Sequence, residues 1–187
     1  MVKIIEIESV FIGDFPVGDE IVADCNVLVS LCAGENYSSV RKPIVVWIAA
    51  IAEACLQQII YRAQNFTREG VSQISDEELD QIRGKKLDKL NNIIEAFRAR
   101  GLLDDLGDDI YDRLHLLRRM RNRIHIQDRS KLPIPGKRDK AVFTHQRVQD
   151  ALKLLRDLLM HLARKFPRSP EKNHVLPLRI PIFEELD

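Results

Sequence analysis

The sequence predicts an all-α protein, a bundle of four long helices and one shorter helix with short extended segments at both ends. Three observations carry this prediction. Apolar residues recur at helical spacing over most of the chain, Ser75 and Thr144 are good helix caps, and stretches rich in glycine and proline separate the segments. The 187 residues suit a single domain over 1–187, with a helical core at about 19–166 and a proline-rich extended tail at 167–187.

The first part of the chain predicts one strand and two helices. VKIIEIESVFI near the start is β-branched and roughly alternating, which favours a short strand. FPVGDE then punctuates the chain, and EIVADCNVLVSLCAG is typical of a helix that stops at Gly34. A long helix follows from Ser38 to about Thr67. Because its first half is apolar on most of its circumference, we expect it to be central or to be buried against a partner subunit.

The rest of the chain predicts three further helices and an extended tail. Ser75 and Glu78 fit a capping box that opens a helix closed by Gly101. The last helix starts near Thr144 and runs to Phe166, after a loop marked by SKLPIPGKRDK. VLPLRIPIF in the tail is extended and is expected to pair with the N-terminal strand or with another chain. The helix between these two directs five apolar residues to the core: Ile110, Leu114, Leu117, Met120 and Ile124.

Composition excludes several function classes at the level of the whole chain. With 45% hydrophobic residues, 30% charged residues and a net charge of +1, the chain resembles an ordinary globular protein. A balance so near zero makes no global case for nucleic-acid or membrane binding, so any such case must be local. The apolar run from Pro43 to Ala52 is too short to span a bilayer, and MVKIIEIES lacks the apolar stretch of a secretory signal. We therefore expect a cytoplasmic protein without membrane contacts.

No pattern for a metal or a cofactor is present. Cys25, Cys32 and Cys55 have no CxxC spacing and no nearby histidine, so neither a zinc site nor a disulfide framework is expected. Cys25 and Cys32 are seven residues apart and would share a helix face as small core residues. Trp47 is expected in the core or in an interface rather than in a site.

The feature that calls for a function is a local basic cluster. LLRRMRNRIHIQDRSK, residues 116–131, places four arginines directly before His125. Between Arg113 and Arg138 there are nine lysines or arginines and a single acid, Asp128. Cations near a helix C-terminus favour the helix dipole, but a typical helix end needs one or two of them. The density of arginine therefore points to a site that handles phosphate.

Helical geometry divides these arginines into two groups. At ~100° per residue from Ile110, Arg121 falls at about 20°, His125 at about 60° and Arg118 at about 80°. These three share the margin of the apolar stripe, where a guanidinium loses hydration and needs a partner. Arg119 and Arg123, at about 180° and 220°, point to the far side and would at most steer a polyanion. Glu53, the one acid in IAAIAEACL, is either the partner of Arg121 across the bundle or a residue at a helix rim.

Arginine and histidine without metal ligands allow a restricted chemistry. Histidine transfers protons near neutral pH, and arginine holds phosphate and stabilises added negative charge. Together they suit RNA cleavage by the neighbouring 2′-hydroxyl, a nucleophile that DNA lacks. One histidine does not conveniently serve as both base and acid in one step. The chemistry therefore favours a homodimer that presents two copies of the site in one cleft.

RMRNRIH, in this setting at the end of a helix and before a loop and a last helix, resembles the hallmark motif of the HEPN superfamily (higher eukaryotes and prokaryotes nucleotide-binding). The resemblance covers roughly Ser38 to Phe166. It implies an all-α bundle and a metal-independent RNase of the kind found in toxin–antitoxin and defence systems, with a cognate antitoxin as a further partner. The family motif is an arginine, often followed by Asn, Asp or His, and then a histidine after four to six residues.

The resemblance implies catalytic roles for Arg121, Asn122 and His125, with Arg118 assisting or substituting for Arg121. Three residues separate Arg121 from His125, one fewer than the shortest spacing in the family. Applied strictly, the family spacing selects Arg118 or Arg119 instead. Arg119, Arg123, Arg129 and Lys131 are expected to contact the RNA. Some members of the family carry a tyrosine that is modified two residues after the histidine; Gln127 stands there in this chain, which does not support that form of control.

Two other interpretations remain open. The second interpretation is a non-catalytic module of the same fold, which uses the basic cluster to hold RNA, a nucleotide or an acidic partner. The third is a purely structural helical bundle. Arg138 and His145 form a second pair at the family spacing, which crosses from the loop into the last helix.

Overall fold

The computed structural model describes residues 2–66, 71, 74–84, 87–124, 139–169 and 175–183. Within them the chain is mainly helical, with one two-stranded sheet. Strand β1 (Val2–Ile7) pairs antiparallel with strand β2 (Leu178–Phe183), from Val2 opposite Phe183 to Ile7 opposite Leu178. The sequence had left two partners open for the extended tail, and the N-terminal strand is the one observed.

Helix α1 (Phe15–Ala33) begins earlier than the sequence predicts. We expected FPVGDE to break the chain, but Asp14 caps the helix by accepting a hydrogen bond from the Val17 amide. Pro16 is tolerated in the first turn because its missing N–H would have no helical partner there. The predicted stop is confirmed, since Gly34 follows the last helical residue. Cys25 and Cys32 lie buried on one face of α1, and burial raises the pKa of each thiol to about 12.

Helix α2 (Arg41–Asn65) is the central helix that its apolar circumference predicts. It packs against α1 and against four helices that follow it in the chain. By length and composition α2 would be able to cross a membrane, yet 61% of its most apolar window is buried inside the fold. A helix enclosed by its neighbours needs an apolar surface on all sides for packing alone. Trp47 is half-buried against the core and donates its indole N–H to the Asp24 carbonyl.

The helix predicted from Ser75 to Gly101 is instead two short helices, α3 (Asp76–Arg83) and α4 (Leu90–Arg98). The capping box of Ser75 and Glu78 is confirmed in full. The chain leaves the helical path after Gly84, buries the Leu87 side chain and restarts at Leu90. The Leu90 amide donates to Glu53 Oε1 at 3.0 Å. A tertiary hydrogen bond from α2 thus fixes where α4 begins, and local pattern carries no trace of it.

Two more helices, α5 (Ile110–Asn122) and α7 (His145–Lys165), flank α2, and the four-residue helix α6 (Asp139–Val142) precedes α7. Thr144 caps α7 by accepting a hydrogen bond from the Arg147 amide, as predicted. The expected count of four long helices is not met: α1, α2 and α7 have 19, 25 and 21 residues, whereas α5 has 13. Four of the five apolar residues assigned to the core on α5 are buried. Ile124 is 52% exposed, because α5 ends two residues before it.

A node of buried polar groups joins the two ends of the described chain. Arg62 on α2 is fully buried and donates through Nη1 to the carbonyls of Phe11 (3.0 Å) and Phe166 (2.6 Å). Gln58, one turn earlier, accepts hydrogen bonds from the amides of Gly13 and Asp14. A Cβ on Gly13 would lie 2.3 Å from Arg62 Cγ, so only glycine lets the segment after β1 approach this closely. The node fixes the path between β1 and α1.

Arg168 extends the same node from the segment before β2. Its Nη1 donates to the Ile12 carbonyl at 3.1 Å, and its backbone amide donates to the Val10 carbonyl at 2.9 Å. Its guanidinium lies 4.9 Å from the centre of the Phe15 ring, in a cation–π contact. The segments at both ends of the chain are therefore held to each other and to α2.

Candidate functional site

Three of the four candidate catalytic residues of the sequence lie on the last turns of α5. Arg118 and Arg121 are half-buried, whereas Asn122 is exposed. Helix α5 ends at Asn122, and Arg123 and Ile124 form a turn. His125, Arg129 and Lys131 lie outside the described residues, so their roles stay predictions. The angle predicted for His125 assumed that α5 continues through residue 125. Because α5 ends at Asn122, that angle no longer applies to His125.

Arg121 forms an ion pair with Glu53, which settles the two alternatives for that acid. Nη1 of Arg121 donates to Glu53 Oε2 across the bundle. The second oxygen of the same carboxylate accepts the hydrogen bond from the Leu90 amide. One carboxylate from α2 therefore joins the end of α5 to the start of α4. The side chains of Arg121 and Glu53 are 34% and 25% exposed, so the pair remains accessible to a ligand.

A polar cavity of about 260 Å³ opens at this ion pair. Arg118 faces the same cavity, and its Nε is buried without a hydrogen-bond partner among the described residues. A buried guanidinium N–H without an acceptor is costly, and an anion in the cavity would relieve that cost. The cavity is lined by three elements. Helix α5 contributes Arg118, Arg121 and Asn122, α2 contributes Glu53, and the segment that enters α4 contributes residues 88–91.

The start of α4 adds helix amides to this cavity, beside the opposite charges of Lys89 and Asp88. Lys89 occupies the capping position without a side-chain cap, and the first amides of α4 carry the positive end of the helix dipole. Lys89 and Asn91 were not among the candidates. The sequence predicted one continuous helix here, which would have placed both residues mid-helix, and only the break before Leu90 brings them to Arg121.

Arg119 and Arg123 were both predicted to point away from the core, and only Arg119 does. Arg119 is exposed, whereas Arg123 is 7% exposed. Nη2 of Arg123 lies 3.0 Å from Asp139 Oδ1, and the other oxygen of Asp139 lies 2.8 Å from Lys42 Nζ. The prediction for Arg123 is wrong because α5 stops at Asn122, and the next residue no longer follows the helical wheel. Arg123 is therefore withdrawn as an RNA contact, since its guanidinium is used within the fold.

The pair with Asp139 predicts an acid-dependent loss of stability. The hydrogen bond from Lys42, with help from Arg123, lowers the pKa of Asp139 below its usual 3.8. A depressed pKa in the folded state means that the contact stabilises the fold above the unfolded pKa and is lost as pH falls through the folded value. We expect Asp139→Asn to unfold at lower urea concentration than the wild type at pH 7. The difference should close below pH 3.8, and a difference that persists unchanged in acid contradicts this origin.

The remaining histidines among the described residues have structural partners. His145, of the second motif pair, contacts the Tyr37 hydroxyl through Nδ1 at 2.7 Å and packs edge-on against Phe183; Arg138 lies outside the described residues. His161 is buried in α7 with Nε2 2.9 Å from the Leu102 carbonyl, and burial lowers its pKa. Nε2 of His115 lies 2.8 Å from Glu95 Oε1, between α5 and α4.

Comparisons with known proteins do not assign this chain: no protein-family model, no curated protein and no solved structure matches it. Nor do any three His, Cys, Asp or Glu side chains within the described ranges lie close enough together to hold a metal ion. The case for a function therefore rests on the cavity at the end of α5.

Glu53 makes a testable contribution to this cavity. Its carboxylate orients Arg121 but also places a negative charge where a phosphate would bind. Glu53→Gln keeps an acceptor for the Leu90 amide and removes the charge. If the cavity holds a phosphate of RNA, this variant should bind a non-cleavable, 2′-O-methylated RNA about fivefold more tightly, because a repulsion of about 1 kcal/mol at a half-exposed site is removed. Fluorescence anisotropy at constant salt measures the change; weaker binding would show that orientation of Arg121 outweighs the repulsion.

Proposed function

We propose that this protein is a metal-independent endoribonuclease of the HEPN type, which cleaves RNA by attack of a 2′-hydroxyl on the adjacent phosphodiester. The observation that carries the proposal is that Arg118, Arg121 and Asn122 line one cavity at the end of α5. His125 follows that helix end by three residues. Two guanidiniums beside an asparagine and a helix N-terminus suit a phosphate better than a neutral ligand.

The proposed reaction assigns one task to each group. His125 accepts the proton of the 2′-hydroxyl, and the 2′-oxygen forms a bond to phosphorus. Arg121 and Arg118 bind the non-bridging oxygens and stabilise the negative charge of the phosphorane. The bond from phosphorus to the 5′-oxygen then breaks, and the leaving oxygen takes up a proton. The products are a 2′,3′-cyclic phosphate and a 5′-hydroxyl end.

Glu53 has a supporting task in this scheme. The ion pair holds Arg121 in one orientation before substrate binds, so that less conformational entropy is lost on binding. Asn122 is exposed at the rim of the same cavity, and its proposed task is to donate an amide hydrogen to a phosphate oxygen.

The proposal includes a homodimer in the cytoplasm. The second histidine of a symmetric cleft would protonate the leaving 5′-oxygen, which separates the roles of base and acid. A nuclease of this kind serves as a toxin or in defence and requires control, for which a cognate antitoxin is the expected partner. Size-exclusion chromatography with light scattering tests the dimer, and a monomer at micromolar concentration contradicts the shared cleft.

The test of the activity uses a single RNA and its DNA counterpart. Purified protein is expected to cut the RNA, to leave the DNA intact, and to retain full activity in EDTA. The new 3′ ends should carry 2′,3′-cyclic phosphate and should resist ligation until the cyclic phosphate is opened and the resulting phosphate is removed by a phosphatase. RNA that stays intact at high protein concentration, or cleavage abolished by EDTA, overturns the proposal.

A second candidate function is RNA or nucleotide binding without cleavage. The observation in its favour is that Arg121 is already neutralised by Glu53, which reduces the cationic charge available to the transition state. A binding module would show affinity that falls steeply with salt and depends on Arg118 and Arg121. Replacement of His125 would leave that affinity unchanged, and no product would form.

A further inference from the structure

A second cavity lies on the opposite flank of α5, between α5 and α7. Its volume is about 300 Å³. The floor is apolar and includes Leu117, Met120 and Leu154, each at most 3% exposed. No residue of this cavity is shared with the cavity at Arg121.

Cations dominate the rim of this second cavity. Arg113, Arg147 and Lys153 line it together with one acid, Asp150. Arg113 is 3.8 Å from Asp109 in an exposed pair, a contact of small energy. Nη1 of Arg147 is buried, and no hydrogen-bond partner for it exists among the described residues. The rim therefore offers a desolvated guanidinium N–H for which the described part of the chain supplies no acceptor.

The two cavities lie on one path across the exposed face of α5. At ~100° per residue from Ile110, Arg113 and Met120 lie at about −60° and −80°, whereas Arg118 and Asn122 lie at about 80° and 120°. Arg119, at about 180°, is exposed between the two flanks. An anionic chain that crosses α5 would meet the first cavity, then Arg119, then the second cavity. A helix with its side chains is about 10–12 Å wide, so the second cavity receives a different nucleotide from the first.

We propose that the cavity between α5 and α7 is a nucleotide subsite, in which the apolar floor takes a base and Arg147 takes its phosphate. This inference rests on the proposed RNA-binding function and assigns a second part of the substrate. Bare phosphate would gain nothing from the apolar floor. A volume at the low end of the range for small-molecule sites, roughly 300–1,000 Å³, suits a single base, and guanidinium planes such as that of Arg113 stack on bases.

The test measures binding of adenosine 5′-monophosphate to the Arg121→Ala variant, in which anion binding at the first cavity is weakened. Calorimetry should show a site that Arg147→Met weakens about tenfold, since a hydrogen bond from a charged donor is lost. Lys153→Met, an exposed change with little effect on the fold, should weaken it in the same direction. Arg164→Met is the matched control, because Arg164 lies on α7 with 72% of its side chain exposed and does not line the cavity.

The outcomes separate this inference from the proposed function. If inorganic phosphate and adenosine 5′-monophosphate bind with equal affinity, the apolar floor does not bind the base, and the inference is overturned. Equal affinity of the Arg147→Met and Arg164→Met variants overturns it as well. In cleavage assays the inference predicts that Arg147→Met raises KM for RNA and leaves kcat unchanged. Nucleotide binding that depends on Arg147, in a protein that cuts no RNA, keeps the subsite and refutes the nuclease.

Discussion

Arg121→Ala is expected to lower the rate of RNA cleavage by about 100- to 1,000-fold, the loss typical of one preorganised donor to a developing negative charge. The guanidinium sits in a half-exposed cavity, is held by Glu53, and is directed to the space that Arg118 also faces. His125→Ala should lower the rate by about 100- to 10,000-fold, because it removes the proposed general base. Single-turnover cleavage of one labelled RNA measures both effects.

Controls must separate a lost phosphate contact from a disturbed fold. Arg121→Ala leaves the carboxylate of Glu53 without its cation, so the double variant Glu53→Gln/Arg121→Ala is needed. If the double variant regains the wild-type rate, Arg121 only neutralises Glu53 and does not hold phosphate. Arg164→Ala, on α7 and largely exposed, should cleave at the wild-type rate.

A comparison of Arg118→Ala with Arg121→Ala tests which arginine of the proposed motif binds the phosphate. The family spacing selects Arg118 or Arg119, whereas the ion pair and the cavity favour Arg121 with help from Arg118. We expect Arg118→Ala to lower the rate of RNA cleavage by a smaller factor than Arg121→Ala does. A full loss in Arg118→Ala with normal activity in Arg121→Ala would exchange the two assignments.

Arg62→Met is expected to destabilise the fold by about 3 to 5 kcal/mol, because two buried carbonyls each lose a hydrogen bond from a charged donor. These carbonyls belong to Phe11 and Phe166, which lie in the segments that adjoin the two ends of the chain. Methionine is unbranched and flexible, so it fills much of the space of the arginine stem. Urea unfolding followed by circular dichroism measures the change.

Two comparisons sharpen this result. Arg164→Met removes a guanidinium of the same size from an exposed position and should change stability by less than about 0.5 kcal/mol. Gly13→Ala should also destabilise, since its Cβ would lie 2.3 Å from Arg62 Cγ. An Arg62→Met protein as stable as the wild type would show that the node is not needed to hold the chain ends.

Sequence pattern predicted those parts of the fold that local physics decides. The cap at Thr144, the capping box at Ser75 and the central position of α2 follow from capping chemistry and periodicity. The pairing of β1 with β2 was only one of the two alternatives for the extended tail, because it joins residues far apart in the chain. The break between α3 and α4 does not follow from local pattern alone, because it depends on a hydrogen bond to Glu53 from a residue 37 positions away. Gly84, the C-cap of α3, is a local stop signal that the predicted continuous helix passed over, whereas the restart at Leu90 has no side-chain cap to mark it.

The candidate site was predicted in a similar way. The helical wheel brought Arg118 and Arg121 together because both lie inside α5. For Glu53, the lone acid of an apolar helix, the sequence left two alternatives open, of which the pair with Arg121 is the one observed. The same wheel failed for Arg123 and Ile124, since it was extended past the helix end. Arg62 gave no signal at all: a basic residue in the last turn of a helix is ordinary, and its burial depends on carbonyls from residues 11 and 166.

The pairing of β1 with β2 has a consequence for how the protein is made. Val2 pairs with Phe183, so the first strand has no partner until residues 178–183 have left the ribosome. Contacts between residues so distant in the chain close late, because the loop between them must be ordered first. The contact of Arg62 with the Phe166 carbonyl obeys the same order. The sheet and the node around Arg62 are therefore completed late in folding, after the helices that separate β1 from β2 in the chain have been made.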